Sequence, residues 1–197
     1  MERLILARHG QTDWNVRKLV NGDPATRVVL TAQGRDEARR LGEEIADERI
    51  DLCVVTPFGR TQETADLALA GREVPRLVVE ELGDPFYGSF EGGSLDEYRT
   101  WAWGQASSVP PPGGGEARAT IVARYVRAYR RLLALEQETV LAVCHSLPVA
   151  YVLAAHEGRA PEPKVPLVAN AHPYRFTRAE LERVVAILAG WCAAPTW

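Results

Sequence analysis

Short apolar runs alternate with amphipathic stretches along this chain. Arg3 to Ala7 (RLILA) is an unbroken apolar run that leads into Arg8-His9-Gly10, the pattern of a buried strand running into a loop. Thr31 then precedes a helical pattern with Ala38, Leu41, Gly42 and Ile45 on one face. Asp51 to Thr56 (DLCVVT) predicts a second strand, stopped by Pro57, and Arg60 to Leu69 a helix. Arg76 to Val79 is a third strand candidate. Ile121, Val122, Tyr125, Val126, Tyr129, Leu132 and Leu133 mark a strongly amphipathic helix. Thr139 to Cys144 (TVLAVC) predicts a strand that ends at His145. Leu147 to Ala155 is apolar nearly all round, as in a buried helix. Val165–Val168 and Tyr174–Phe176 read as short strands, and 179–189 fits helix or strand equally.

Strands alternating with helices predict an α/β fold, a three-layer α/β/α domain over residues 1–197 with a mostly parallel sheet. Such sheets place their sites beyond the carboxyl ends of the strands. Strand ends lie at Arg8-His9, just before Arg60 and at His145, so these groups can converge on one crevice. Residues 83–115 break the alternation. Gly, Pro and aromatics dominate there, with Tyr87, Phe90, Tyr98, Trp101 and Trp103 among them. An insertion of this kind serves as a lid over the site or as a small aromatic core under a loop.

The apolar fraction of 46% and charged fraction of 25% are those of a globular domain. A net charge of −3 argues against a nucleic-acid or anionic-membrane partner. Lys18 and Lys164 are the only lysines among many arginines, a balance that suits bidentate recognition of oxyanions. Cys53 and Cys144 sit inside apolar runs and Cys192 stands apart, so buried thiols are expected and not a disulfide frame. The first residues lack the long apolar region of a signal peptide, and no run approaches a membrane span; a cytoplasmic location is expected.

His9 is the candidate for chemistry. An imidazole that attacks phosphorus needs a neutral nitrogen, a neighbouring cation and close backbone approach. Arg8 supplies the fork-shaped cation and Gly10 the room. Taken alone, Arg-His-Gly reads equally well as a core histidine beside a surface arginine. The wider stretch LILARHGQTDWN (residues 4–15) resembles the signature of the histidine phosphatase superfamily, the phosphoglycerate-mutase-like proteins. Further segments resemble its later motifs in order: TPFGRTQETA (56–65), GDPFYGSFEG (83–92), Gly115-Glu116 with Arg124, and VCHS (143–146).

The resemblance implies that His9 is the phosphorylated residue and that Arg8, Arg60 and His145 complete the phosphoryl pocket. It implies Asp84 as the general acid. Asn15, Asn21, Gly22, Tyr87 and Ser146 become substrate-side residues, and no cofactor or metal is needed. Asp84 stands where many relatives carry glutamate, Leu19 where many carry arginine, Asn21 where many carry glutamine, Ser146 where glycine is usual, and Ala117 where serine is common. Glu81, three residues upstream, competes with Asp84; register favours Asp84, three residues before Tyr87-Gly88. Arg124, Arg127, Arg130 and Arg131 are expected on a solvated helix face.

The expected activity is hydrolysis of a small phosphomonoester. Three alternatives remain. A metal hydrolase would use His9, His145, His156 and His172 with acidic partners, but no pair has the close spacing of a metal motif. A non-catalytic relative would bind phosphorylated ligands, although the histidine and both arginines are present. A phosphoglycerate mutase would need further cations after the acid segment, and residues 100–115 hold no basic residue.

Overall fold

The computed structural model describes residues 1–197. Five strands, β1 (Arg3–Arg8), β2 (Leu52–Val55), β3 (Arg76–Val78), β4 (Thr139–Cys144) and β5 (Tyr174–Thr177), form one sheet in the order β3-β2-β4-β1-β5. All pairs are parallel except β1–β5. The unbroken apolar runs follow from burial on both faces. In β1, Leu4 and Leu6 enter one core while Ile5 and Ala7 enter the other, and β4 divides Val140 and Ala142 from Leu141 and Val143 in the same way. The larger core lies under α5 (Arg118–Leu133), α6 (Ser146–His156) and α7 (Arg178–Ala193). The smaller lies under α2 (Ala32–Glu44) and α3 (Gly59–Ala68). Truncating a fully buried side chain of this sheet, such as Leu6, removes about 2–5 kcal/mol.

Two short helices complete the chain, α1 (Asp13–Val16) and α4 (Leu95–Trp103). The latter falls inside 83–115, so this segment is not simply a loop. Ser94 caps α4 by accepting from the Glu97 N–H, a start signal masked by the surrounding glycines and aromatics. Tyr98 and Ala102 of α4 close with Val20 into a small third core, and the Tyr98 ring meets Tyr87 edge-on at 4.7 Å. Backbone bonds tie the segment to the loop before it: Leu95 N–H to Lys18 O, Gly92 N–H to Val20 O, and Val20 N–H to Gly93 O.

Two other expectations change. The ambiguous C-terminal stretch is the helix α7, started by a capping box in which Thr177 and Glu180 satisfy each other's backbone N–H groups. Val165–Val168 is not a strand. Pro166 has no N–H to give a ladder, and only Asn170 bridges to β1, at Arg8. The turn after it is strained, since Ala171 has φ +45°. It is held there by its N–H on the Arg8 carbonyl. No helix is long and apolar enough to cross a membrane.

Candidate active site

Because β1, β2, β3 and β4 are parallel, their carboxyl ends open on one edge of the sheet. β1 delivers Arg8 and His9 there, and β4 delivers His145. The turn after β2 starts α3 with Arg60, and the turn after β3 leads to Asp84. The adjacency of β1 and β4 brings the His9 and His145 rings to 5.5 Å between centroids. Arg8, His9, Arg60 and Asp84 line one cleft, together with Asn15, Asn21, Tyr87 and Ser146.

His9 is buried, 3% exposed, and its Nδ1 lies 2.7 Å from the Gly10 carbonyl. A carbonyl only accepts, so Nδ1 carries the proton and Nε2 keeps its lone pair. Burial, then the charges of Arg60 and Arg8, hold this imidazole well below its ordinary pKa. It is therefore neutral at pH 7. The backbone around it is tightly packed. A Cβ on Gly10 would collide with the Gly34 carbonyl, so only glycine permits this approach of the β1 loop to α2. Gly10 N–H donates to Thr64 Oγ1, which donates to the Arg60 carbonyl, linking the histidine loop to α3.

Arg60 is held from three sides. Its Nη1 donates to Asn21 Oδ1 at 2.7 Å, and its Nη2 donates to Asn21 O at 3.1 Å and to Asp84 Oδ2 at 2.7 Å. The guanidinium sits 4.3 Å over the Phe58 ring. His145 places Nδ1 3.0 Å from the same Asp84 oxygen and Nε2 3.0 Å from Thr56 Oγ1. With Asp84 ionised, Nδ1–H donates to it and Nε2 accepts from the Thr56 hydroxyl. Burial lowers His145 to about 4, against the opposing pull of Asp84. Burial of Asp84 is outweighed by His145, Arg60 and His9, so its carboxyl stays below the usual range. The free site thus holds an ionised Asp84 bound to both Arg60 and His145.

Asp84 itself is carried by a fastened loop. Arg124 grips Glu116 through Nε and Nη2, both at 2.9 Å, and its Nη1 donates to the carbonyls of Glu81 and Gly83. Glu116 also accepts from the Phe86 N–H. Arg124 is therefore not on the solvated helix face, whereas Arg127, Arg130 and Arg131 are exposed as expected. Glu81 points its carboxylate towards Arg131, away from the cleft.

The remaining substrate-side expectations divide. Asn15 lines the cleft, and its Oδ1 accepts from the Thr12 N–H in a capping box. Asn21 holds Arg60. Gly22 lies outside the cleft lining; its N–H donates to Glu91, and a Cβ there would strike the Pro85 carbonyl. Ser146 Oγ accepts from Val168 N–H at 3.3 Å. With Arg8 Nη1 on Val168 O and Asn170 Nδ2 on His9 O, it pins the 165–170 loop across the site. Thr56, Thr64, Glu91, Arg124 and Asn170 were not singled out as site residues from the sequence. Thr64 and Arg60, four residues apart on one helix, carried a signal in their spacing; Asn170 carried none.

Sequence spacing gave no metal motif, yet His9, Asp84 and His145 bring one ligand atom each within 4.8 Å of one another. The donor set does not suit a cation. The Asp84 oxygen already serves Arg60 and His145, and an added positive charge would face the Arg60 and Arg8 guanidiniums. The same arrangement suits a tetrahedral oxyanion.

A family model of the histidine phosphatase superfamily (branch 1) matches residues 4–186. A 2,3-bisphosphoglycerate-dependent phosphoglycerate mutase of Methylobacterium sp. (strain 4-46) is 34% identical over 160 residues, covering 74% of this chain and 76% of the relative. The protein of the same description from Brucella melitensis biotype 2 is 32% identical over 176 residues, covering 81% and 83%. Among solved structures, Bacillus stearothermophilus YhfR superposes with a TM-score of 0.76 at 28% identity, over 88% of this chain and 89% of that one. A mycobacterial glucosyl-3-phosphoglycerate phosphatase complexed with VO3 superposes at 0.71 with 24% identity, over 89% and 90%, a likeness of fold alone. The fold, the ordered motifs and these matches agree: the chain belongs to the histidine phosphatase superfamily.

Proposed function

We propose that the chain hydrolyses small phosphomonoesters through a phosphohistidine on His9, without a metal. The observation that carries this reading is a neutral imidazole, its Nδ1 anchored on Gly10 and its Nε2 free, in a cleft whose only lining cations are Arg8 and Arg60. The phosphoryl oxygens take up the two guanidiniums and His145, which concentrates donors where charge resides during transfer. Bound dianion neutralises these cations and repels Asp84, so the carboxyl gains a proton from solvent. His9 Nε2 then attacks phosphorus, the P–O bond to the alcohol breaks, and Asp84 gives its proton to the departing oxygen. In the second step water attacks the phosphohistidine, its proton passes to Asp84, and the N–P bond breaks. Phosphate leaves and His9 is again neutral.

The names of the curated relatives favour a second reading, phosphoglycerate mutase. Against it stand the inner walls, where Trp14, Leu19, Val20 and Val28 add no cation to Arg8 and Arg60 for a carboxylate next to the phosphoryl group; Arg99 and Arg118 line only the adjoining chamber. A bisphosphorylated intermediate held so weakly would lose its phosphoryl group to water. The test is the fate of phenyl phosphate and 3-phosphoglycerate in excess chelator. Phosphate release is expected from phenyl phosphate at an undiminished rate. Isomerisation of 3-phosphoglycerate outpacing all phosphate release would overturn the proposal, as would restoration of a lost rate by one added cation.

A further inference from the structure

The cleft continues past the phosphoryl pocket. Tyr87 and Leu95 line both that pocket and an outer chamber. Two features of the chamber are unused by the chemistry described above. One is apolar surface left wet: Trp103 and Leu167, 39% and 57% exposed, stand on its wall with Leu147. The other is charge without a counter-charge. Arg99 and Arg118 line the chamber and neither pairs with a carboxylate. The only acidic lining residue is Asp84, already bonded to Arg60 and His145. Arg118 donates from Nη1 to the Tyr151 hydroxyl at 2.9 Å, and its buried Nε has no partner at all. A half-enclosed guanidinium held only by neutral hydroxyls, those of Tyr151 and Tyr98, is costly unless a ligand brings an anion to it.

We infer that the outer chamber holds the alcohol half of the substrate, and that this half carries a second anionic group beyond an apolar or aromatic spacer. Trp103, Leu147 and Leu167 take the spacer after it passes Tyr87 and Leu95, and Arg118, assisted by Arg99, takes the anion. The inference rests on the reading above only for the place of the phosphoryl group. It is tested by calorimetric titration of the full chain with two non-hydrolysable ligands, benzylphosphonate and 4-(carboxymethyl)benzylphosphonate. The carboxylate is expected to tighten binding about ten-fold or more, the size of one charge-assisted hydrogen bond. In Arg118→Gln that advantage shrinks to about two-fold or less, and Arg99→Gln reduces it partly. Equal dissociation constants for the two ligands in the unmodified chain would overturn the inference whatever the variants do. So would an advantage that survives in both variants. Failure of the hydrolase reading shows in turnover and leaves these dissociation constants unaffected.

Discussion

The inner pocket and the outer chamber share a wall but are built on opposite terms. Inside, functional groups are held by one another: Asn21 grips Arg60, Arg60 and His145 share Asp84, and Gly10 fixes the His9 ring. Outside, Arg99 has no ion pair, Arg118 has only neutral hydroxyl partners, and Trp103 and Leu167 face water. The inner groups arrive from strand ends of a sheet buried on both faces. The outer ones come from α4, the start of α5 and the 165–170 loop. Chemistry placed on the rigid element needs no ligand to organise it. Selection placed on the looser elements leaves its charges waiting for one.

That contrast can be broken first at its inner side. His9→Ala should lower turnover at least about 10⁴-fold with the fold intact, and acid-labile phosphate should appear on the unmodified chain only. Measurable turnover by His9→Ala at near-normal rate contradicts the nucleophile assignment. Next comes the acid. Asp84→Asn should cost about 10²–10⁴-fold with alkyl phosphates and far less with nitrophenyl phosphate, whose leaving group needs little protonation. Some loss with the aryl ester remains, with phosphoenzyme accumulating, because the same carboxylate activates water. Arg124→Gln, which frees the loop under Asp84, should show the same leaving-group pattern on a smaller scale, about 1–2 kcal/mol in the alkyl rate. A uniform loss across leaving groups would instead mark Arg124 as structural only. Glu81→Gln should be the mildest change, and a leaving-group-dependent loss there would move the acid upstream.

A thermal prediction sharpens the same contrast. His9 and His145 are buried neutral, with pKa values below the ordinary 6.5, His145 at about 4. Between these values the unfolded chain binds protons that the folded chain does not. Stability therefore falls as pH drops from about 6.5 towards 4, and further as Asp84 protonates. Thermal melts should show a lower Tm at pH 5 than at pH 7, and His145→Gln should flatten part of that slope. An unchanged slope in His145→Gln would remove His145 from the account.

Much of the inner pocket was legible in the sequence because it sits at ends of apolar runs. RLILA, DLCVV and TVLAV each bury both faces, so they stand out, and His9 and His145 each stand two positions past the end of one of them. The outer chamber was not legible. Its helix α4 hides between Gly92-Gly93 and Gly104, and Trp101 and Trp103 weaken the helical pattern. Arg124 was misplaced because periodicity assigns a helix face but does not show that the acid-bearing turn packs beside that face. Asn170 lies far along the chain from His9, and only the bend at Ala171 brings its amide to the His9 carbonyl. The C-terminal helix was ambiguous because VVAIL suits either period, and its capping box decides the matter locally.

The place of β1 in the sheet has a consequence for how the protein meets solvent over time. β1 is paired on both sides, by β4 and β5, and His9 N–H continues the ladder onto the Cys144 carbonyl. Its amides can trade hydrogen for deuterium only when the sheet itself opens, so the strand that leads into His9 belongs to the slowest-exchanging part of the molecule. Ligand occupancy has little left to protect there. The deuterium signature of binding should fall instead on the amides of 86–104 and 165–169, which the sheet does not hold, and the clock of local opening would then report on the substrate from a distance the chemistry never spans.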